Sequence, residues 1–378
     1  MELDDIVFVT LPESIDIASD SFTFNPDVEI PVQLADGTKS ISQEQGITIE
    51  MIAAGLIKVI AYKNDHPHFE YYRSLLTALQ PDIVYELQIA GIAKAQGGET
   101  EFAQELFLTA CHLNPHIPEL YVNLAVLYAQ QAKAALDDDN QKEYDKHIAS
   151  QLEILEQGLQ HIPLSDVLLS ELGLLHLFLG NEEQAFEILT SYLRIAPDGE
   201  KKETIRAQVE QLGTQLESEK TLLEAFDQMQ LGNEEQALRL SESYIEVNPS
   251  KWSGHFIKGW AHRRLGQYQE AQSSFLHCLE LGEQHPDIYN ELSICANELG
   301  EQEMSKSYLE IAIDIDDSDV KLLSNLAFLH LRDESYNEVQ RLVERAEQID
   351  PQDPAIIYLK EELDKRFGTK EDEDVIDG

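Results

Sequence analysis

Basic residues are scarce. Across 378 residues, 27 lysines and arginines stand against 71 aspartates and glutamates, a formal charge of −44. Such a field repels phosphate backbones and anionic lipid, because both are gripped through close Lys and Arg contacts. Nucleic-acid binding is therefore excluded, and a partner of basic character is expected. Cysteine is scarce too: Cys111, Cys278 and Cys295 are too few and too scattered for a disulfide framework, and no Cys-x-x-Cys pair occurs. No apolar run approaches the roughly 18 uninterrupted residues that read as a spanning helix, which excludes membrane insertion. The opening Met1-Glu-Leu-Asp-Asp5 is acidic where a secretory leader is basic, so the expected compartment is the cytoplasm. Glycine-rich phosphate loops, Gly-x-Ser-x-Gly elbows and His-Glu-x-x-His pairs are also missing. The chain is expected not to be an enzyme, with no catalytic, cofactor-binding or metal-ligating residue to assign.

What is present is self-similarity. Gly180-Asn-Glu-Glu-Gln-Ala185 recurs letter for letter as Gly232-Asn-Glu-Glu-Gln-Ala237, and Gly266-Gln-Tyr-Gln-Glu-Ala271 is a looser copy. Each lies between two apolar-periodic stretches and is followed by a helix-ending segment such as Ala196-Pro197 or Asn248-Pro249. Alignment on the alanines places units at Asp166, Ser218, Trp252, Pro286 and Val320, the last four 34 residues apart. Pro81 and Pro115 extend the series backwards to Glu50, Val84 and Pro118, again at 34. Two units are stretched, by 14 residues before Asp166 and by 18 before Ser218.

A 34-residue period with small residues at positions 8, 20 and 27 and proline at 32 resembles the tetratricopeptide (TPR) family. The unit from Val84 carries Leu87, Gly91, Gly98, Ala103, Phe107, Ala110 and Pro115 at family positions 4, 8, 15, 20, 24, 27 and 32. The next carries Tyr121, Leu124, Ala125 and Tyr128 at positions 4, 7, 8 and 11. Glu224 and Lys258 depart from the Leu of position 7, and Phe69, Ser305 and Val339 from the Ala of position 20. The resemblance implies an all-α fold, a right-handed superhelical α-solenoid of about eight helix hairpins with a C-terminal capping helix, preceded by a short non-helical arm. In such a hairpin, positions 8 and 20 admit only small side chains, the glycine of Gly-x4-Ala suits a left-handed turn, and proline ends the second helix. No hairpin buries its apolar face alone, so stacking is obligatory.

Five segments are expected. Residues 1–46, with ten acids against Lys39 and short alternating runs at Ile6–Val9, Phe22–Phe24 and Ile30–Leu34, read as an extended acidic arm. It packs on the first repeat, crosses the groove, or orders with a partner. Residues 47–199 hold the repeats from 50, 84, 118 and 166, and residues 200–353 those from 218, 252, 286 and 320. Residues 354–368 form the capping helix, and 369–378 a disordered acidic tail. The insertion at Ala134–Tyr144 is a lengthened loop or helix extension. Asp198–Glu219, with Ile205, Val209, Leu212 and Leu216 in helical spacing, lengthens the helix that follows.

Three tempting sites read better as structure. Cys278 sits at position 27, where a small buried residue belongs. His176, His262 and His330 all fall at position 11, a flat packing position, and His112 and His116 straddle a helix end. Asp314-Ile-Asp316-Asp-Ser318 starts like a calcium loop, but its sixth residue is Asp319 and its twelfth Asn325, so the ligand set is incomplete and a solvated turn is expected.

The resemblance also implies where a partner sits. The first helix of each hairpin, helix A, lines the concave face, with positions 2, 5, 9 and 12 pointing into it. Here those positions and their neighbours give an apolar list from which Val126, Leu174, Phe226, Met229, Phe256, Trp260, Arg263 and Phe328 are the expected partner-binding groove residues. Aromatic and arginine side chains dominate binding energy at interfaces. A carboxylate clamp is not expected, since Phe256, Trp260 and Glu291 stand where it needs polar or basic groups. The expected role is a scaffold or adaptor that holds another polypeptide; the alternative is a holding or assembly chaperone that masks an apolar client segment.

Overall fold

The computed structural model describes residues 3, 5–11, 22–34 and 47–371. Strands β1 (Ile6–Val9) and β2 (Ile30–Gln33) precede the helices. Helix pairs follow: α1 (Ile49–Tyr62) with α2 (Phe69–Leu79), α3 (Ile83–Gln96) with α4 (Thr100–Leu113), α5 (Pro118–Asp137) with α6 (Gln141–His161), and α7 (Asp166–Phe178) with α8 (Glu182–Ile195). Then come α9 (Glu200–Leu231) with α10 (Glu234–Val247), α11 (Trp252–Arg264) with α12 (Tyr268–Glu280), α13 (Pro286–Glu298) with α14 (Gln302–Ile315), and α15 (Val320–Arg332) with α16 (Tyr336–Ile349), closed by α17 (Pro354–Glu371). The fold is all-α, built of consecutive hairpins, with helices starting within a residue of seven of the eight expected repeat starts.

Local chemistry accounts for the boundaries. Pro118 and Pro286 occupy the first turn of α5 and α13, where a missing N–H costs nothing. The Ser165 hydroxyl accepts from the Leu168 N–H and caps α7. Between paired helices, Gly98, Gly180, Gly232, Gly266 and Gly300 all take φ between 75° and 81°. The Gly180 N–H then bonds to the Leu177 carbonyl and the Asn181 N–H to that of His176, satisfying two carbonyls at the end of α7.

Inside three of the hairpins one device repeats. A Cβ on Gly91 would lie 2.6 Å from the Phe107 ring, one on Gly173 2.5 Å from Leu189, and one on Gly259 2.8 Å from the Phe275 ring. Position 8 is thus kept bare so that the large residue at position 24 can lie across it. The position-20 alanines Ala103, Ala185, Ala237 and Ala271 are fully buried.

The described residues form two compact units, 1–212 and 213–378. In the first, β1 and β2 pair antiparallel with Ile6 opposite Gln33 and Val9 opposite Ile30. The pair packs on α1: Ile30 and Val32 join Ile52, Leu56 and Val59 in one core, and a Cβ on Gly55 would meet the Pro31 carbonyl oxygen at 2.4 Å. Asp5 pairs with Lys58 at 2.7 Å, and the Tyr72 hydroxyl donates to the Glu29 carbonyl. The described part of the arm is therefore a β-ribbon bound to the first repeat. Helix α1 lies against α4 rather than α3, with the Thr109 hydroxyl donating to the Ile57 carbonyl and His112 Nδ1 to that of Ile60. The 14-residue insertion is helical: α5 and α6 run 20 and 21 residues, against 13 or 14 in the regular helices of the later hairpins. At the far side, Ile205 and Val209 of α9 close over Leu169, Leu189 and Tyr192.

In the second unit the later part of α9 acts as a helix A, placing Ala225 and Met229 against Ala237, Ile257 and Ala261. The 18-residue insertion is thus continuous helix, making α9 32 residues long. Helix α17 covers the last hairpin through fully buried Ile356 and Leu359 and runs to Glu371, past the expected helix end at 368. The rest of the expected tail, and residues 1–46 other than those named above, lie outside the described residues. No described helix is long and apolar enough to cross a membrane.

Candidate protein-binding surface

Most of the expected groove residues reach solvent, but not as one set. In the first unit, Val126 of α5 is exposed and Leu174 of α7 half-buried. In the second, Phe226 of α9 stands exposed, its ring 5.9 Å from that of Trp260 on α11. One turn earlier, the Phe256 ring packs 5.5 Å from Phe275 and 5.9 Å from Trp252. Phe256 and Trp260 are half-buried, so each combines an anchored base with a presented edge. Phe328 on α15 instead meets Tyr358 of α17, at 5.9 Å.

Two expectations need correction. Met229 is 0% exposed; it lies on the side of α9 that faces α10 and α11, so its side chain is core. Arg263 is not a free cation, because its guanidinium forms an ion pair with Glu291 of the neighbouring helix A. Burial pushes the Glu291 carboxyl up, and Arg263 pulls the other way. The pair removes the local positive charge from this face.

The surface has members that the sequence reading passed over. Tyr85 (66% exposed), Ile89 and Ile92 form a bare stripe along α3 at spacings of four and three residues. Tyr85 and Ile92 stand at positions 2 and 9, so the register already contained them. Their exposure follows from the packing of α1 on α4. Phe178, at the end of α7, is 72% exposed. Large apolar side chains held in water at one register carry a free-energy cost of about 25 cal/mol per Å² that a partner can relieve.

The other candidates are structural. Cys111, Cys278 and Cys295 are buried free thiols, each pushed up to about 12 by burial. His262 Nδ1 contacts Gln267 across the hairpin turn at 2.6 Å, and His176 contacts Asn181 in the same way. Asp316 caps its own turn, accepting from the Ser318 N–H and hydroxyl. Among the described residues, no three His, Cys, Asp or Glu gather as a metal site.

The hairpin that carries Phe256 and Trp260 is also the one that a family model matches. Residues 253–285, spanning α11 and α12 apart from Trp252, match the family model of the tetratricopeptide repeat. That hairpin is a match to one tetratricopeptide repeat. Over 122 residues, 32% of its length, the chain is 26% identical to the Phagocyte signaling-impaired protein of Drosophila pseudoobscura pseudoobscura, of which the match spans 13%. A tetratricopeptide repeat protein from Parabacteroides merdae superposes with a TM-score of 0.34 at 15% identity, covering 75% of this chain and 99% of that one. A thermophilic TPR protein from Thermus thermophilus gives 0.36 at 18%, covering 53% and 99%.

Proposed function

We propose that this chain is a cytoplasmic scaffold or adaptor that holds a partner polypeptide on its A helices, and that the partner is apolar with basic flanks. The observation that carries this is the register. Tyr85, Val126 and Leu174 in the first unit, and Phe226, Phe256, Trp260 and Phe328 in the second, fall at positions 2, 5 or 9 of their repeats and remain wholly or partly in solvent. Within a unit, A helices that leave the same register uncovered are arranged to be covered by something extended. The charge of −44 favours a cationic partner, speeds its capture, and disfavours nucleic acid.

Affinity capture from the native host with Phe256→Ala/Trp260→Ala as control tests the reading. Capture should fall at least tenfold while helicity by circular dichroism is kept, and should weaken steeply between 50 and 500 mM salt. Undiminished, salt-insensitive capture would count against the assignment. The holding-chaperone reading separates on a different measurement, namely whether equimolar protein keeps an aggregating client in solution.

A further inference from the structure

Histidine is concentrated on one side of the α11–α12 hairpin, at positions 4 and 11 of its repeat rather than the 5, 9 and 12 of Phe256, Trp260 and Arg263. His255, Lys258 and His262 of α11 and Glu270, His277 and Glu280 of α12 line an open cleft there of about 750 Å³. Within it the rings of His255 and His277 meet across the hairpin, their centroids 4.4 Å apart and their planes at 67°. Each ring has one nitrogen committed. His255 Nε2 donates to the Pro249 carbonyl at 3.2 Å, and His277 Nδ1 donates to the Glu280 carboxylate at 2.9 Å. Carbonyl and carboxylate oxygens only accept, so the proton of each neutral imidazole is fixed on the bonded nitrogen. His255 Nδ1 and His277 Nε2 therefore keep their lone pairs. A ligating histidine is held in this state, with one N–H on a carboxylate or backbone carbonyl and the other nitrogen free for an ion.

We propose that His255 and His277 form a two-histidine site for a divalent transition ion of the imidazole-binding class, Cu²⁺, Ni²⁺ or Zn²⁺, with water in its remaining positions. An ion about 2.0–2.1 Å from two neighbouring imidazole nitrogens sets their ring centres roughly 4.5–5 Å apart. The 4.4 Å between His255 and His277 needs little movement of either helix to reach that spacing. Imidazole nitrogen also selects the class of ion, since Mg²⁺ and Ca²⁺ prefer oxygen. Charge permits the binding. Lys258, the only lysine or arginine of the lining, is paired with Glu242 of α10 at 3.0 Å, while Glu270 and Glu280 are exposed carboxylates. Among the described residues no third His, Cys, Asp or Glu completes the set, so the site is open and its ion exchangeable. His262 lines the same cleft but follows His255 by seven residues, about 10 Å along α11, too far to share the ion. The site is independent of the scaffold reading, because neither histidine belongs to the apolar face.

Calorimetric titration of the metal-free full chain with Ni²⁺ near neutral pH, together with electron paramagnetic resonance of the chain loaded with one equivalent of Cu²⁺, tests this. Expected are one site per chain that stands clear of weak carboxylate binding, and a Cu²⁺ spectrum with hyperfine structure from two nitrogens. His255→Gln and His277→Gln should each weaken Ni²⁺ binding at least tenfold and remove one nitrogen from the spectrum. Glu280→Gln should weaken binding several-fold while both nitrogens remain, since it only orients His277. His262→Gln should leave both readouts unchanged. The substituted side chains all reach solvent, and an unchanged unfolding midpoint separates lost binding from lost structure. Ni²⁺ affinity undiminished in His255→Gln and His277→Gln, or as much reduced in His262→Gln, overturns the pairing. A Cu²⁺ spectrum of oxygen ligands alone in the parent chain overturns the site without recourse to any variant. Either result leaves the scaffold reading standing, because capture through Phe256 and Trp260 is measured separately.

Discussion

Helix approach in each hairpin is set by single atoms. Because Ala237 is fully buried at position 20 of its repeat, Ala237→Leu forces three extra carbons into a filled space. It should cost about 1–3 kcal/mol, read as a lower unfolding midpoint. The turn residues give a prediction of opposite sign. Glu334 sits where five other repeats have glycine, at φ 60°, and makes the same bonds as Gly180, its N–H to Leu331 and that of Ser335 to His330. Left-handed backbone costs an L-residue about 1–2 kcal/mol, of which glycine's freedom in the unfolded chain takes back roughly half. Glu334→Gly should therefore raise stability by about 0.5–1 kcal/mol in urea unfolding. These features were legible from one sequence because they depend on neighbours within a single hairpin. Met229 and Arg263 were not. Whether position 12 faces solvent, or an arginine already has a carboxylate opposite it, is decided by a helix some thirty residues away.

Among the elements, the β-ribbon and the α5–α6 hairpin show where periodicity stops informing. The alternation in Ile6–Val9 and Ile30–Gln33 pointed to extended chain, but nothing local says which helix receives it. Asp5 now ties it to α1. Burial would raise the Asp5 carboxyl, yet hydrogen bonds from Lys58 and Gln33 outweigh it and hold the group below the ordinary carboxylate range. A lowered folded pKa means that the contribution is whole above the unfolded value, near 4, and fades as pH falls through the lower folded one. Amide exchange in β1 and β2 should accordingly quicken, relative to the core helices, as pH drops below about 4. Asp5→Asn should show the faster exchange already at neutral pH. For α9, helical spacing between Ile205 and Leu216 sufficed, since a long helix is itself a local object. The 14-residue insertion left loop and helix both open. In the fold α5 and α6 both pack on α7, a contact that no window of sequence contains.

At the scale of the molecule, identical layers leave length undetermined: every layer offers its neighbour the same kind of face. The ribbon on α1 bears on this. Gly55 lets the Pro31 carbonyl come within 2.4 Å of where a methyl would be, and Ile52, Leu56 and Val59 lie beneath that contact. Gly55→Val should act as a wedge, lifting β2 and baring those side chains while the other hairpins stay helical. The expected readout is a concentration-dependent rise in sedimentation coefficient absent from the parent protein. In polymer terms, the ribbon acts as a chain terminator on α1, and the isopropyl group of Gly55→Val would leave that face open to a further layer.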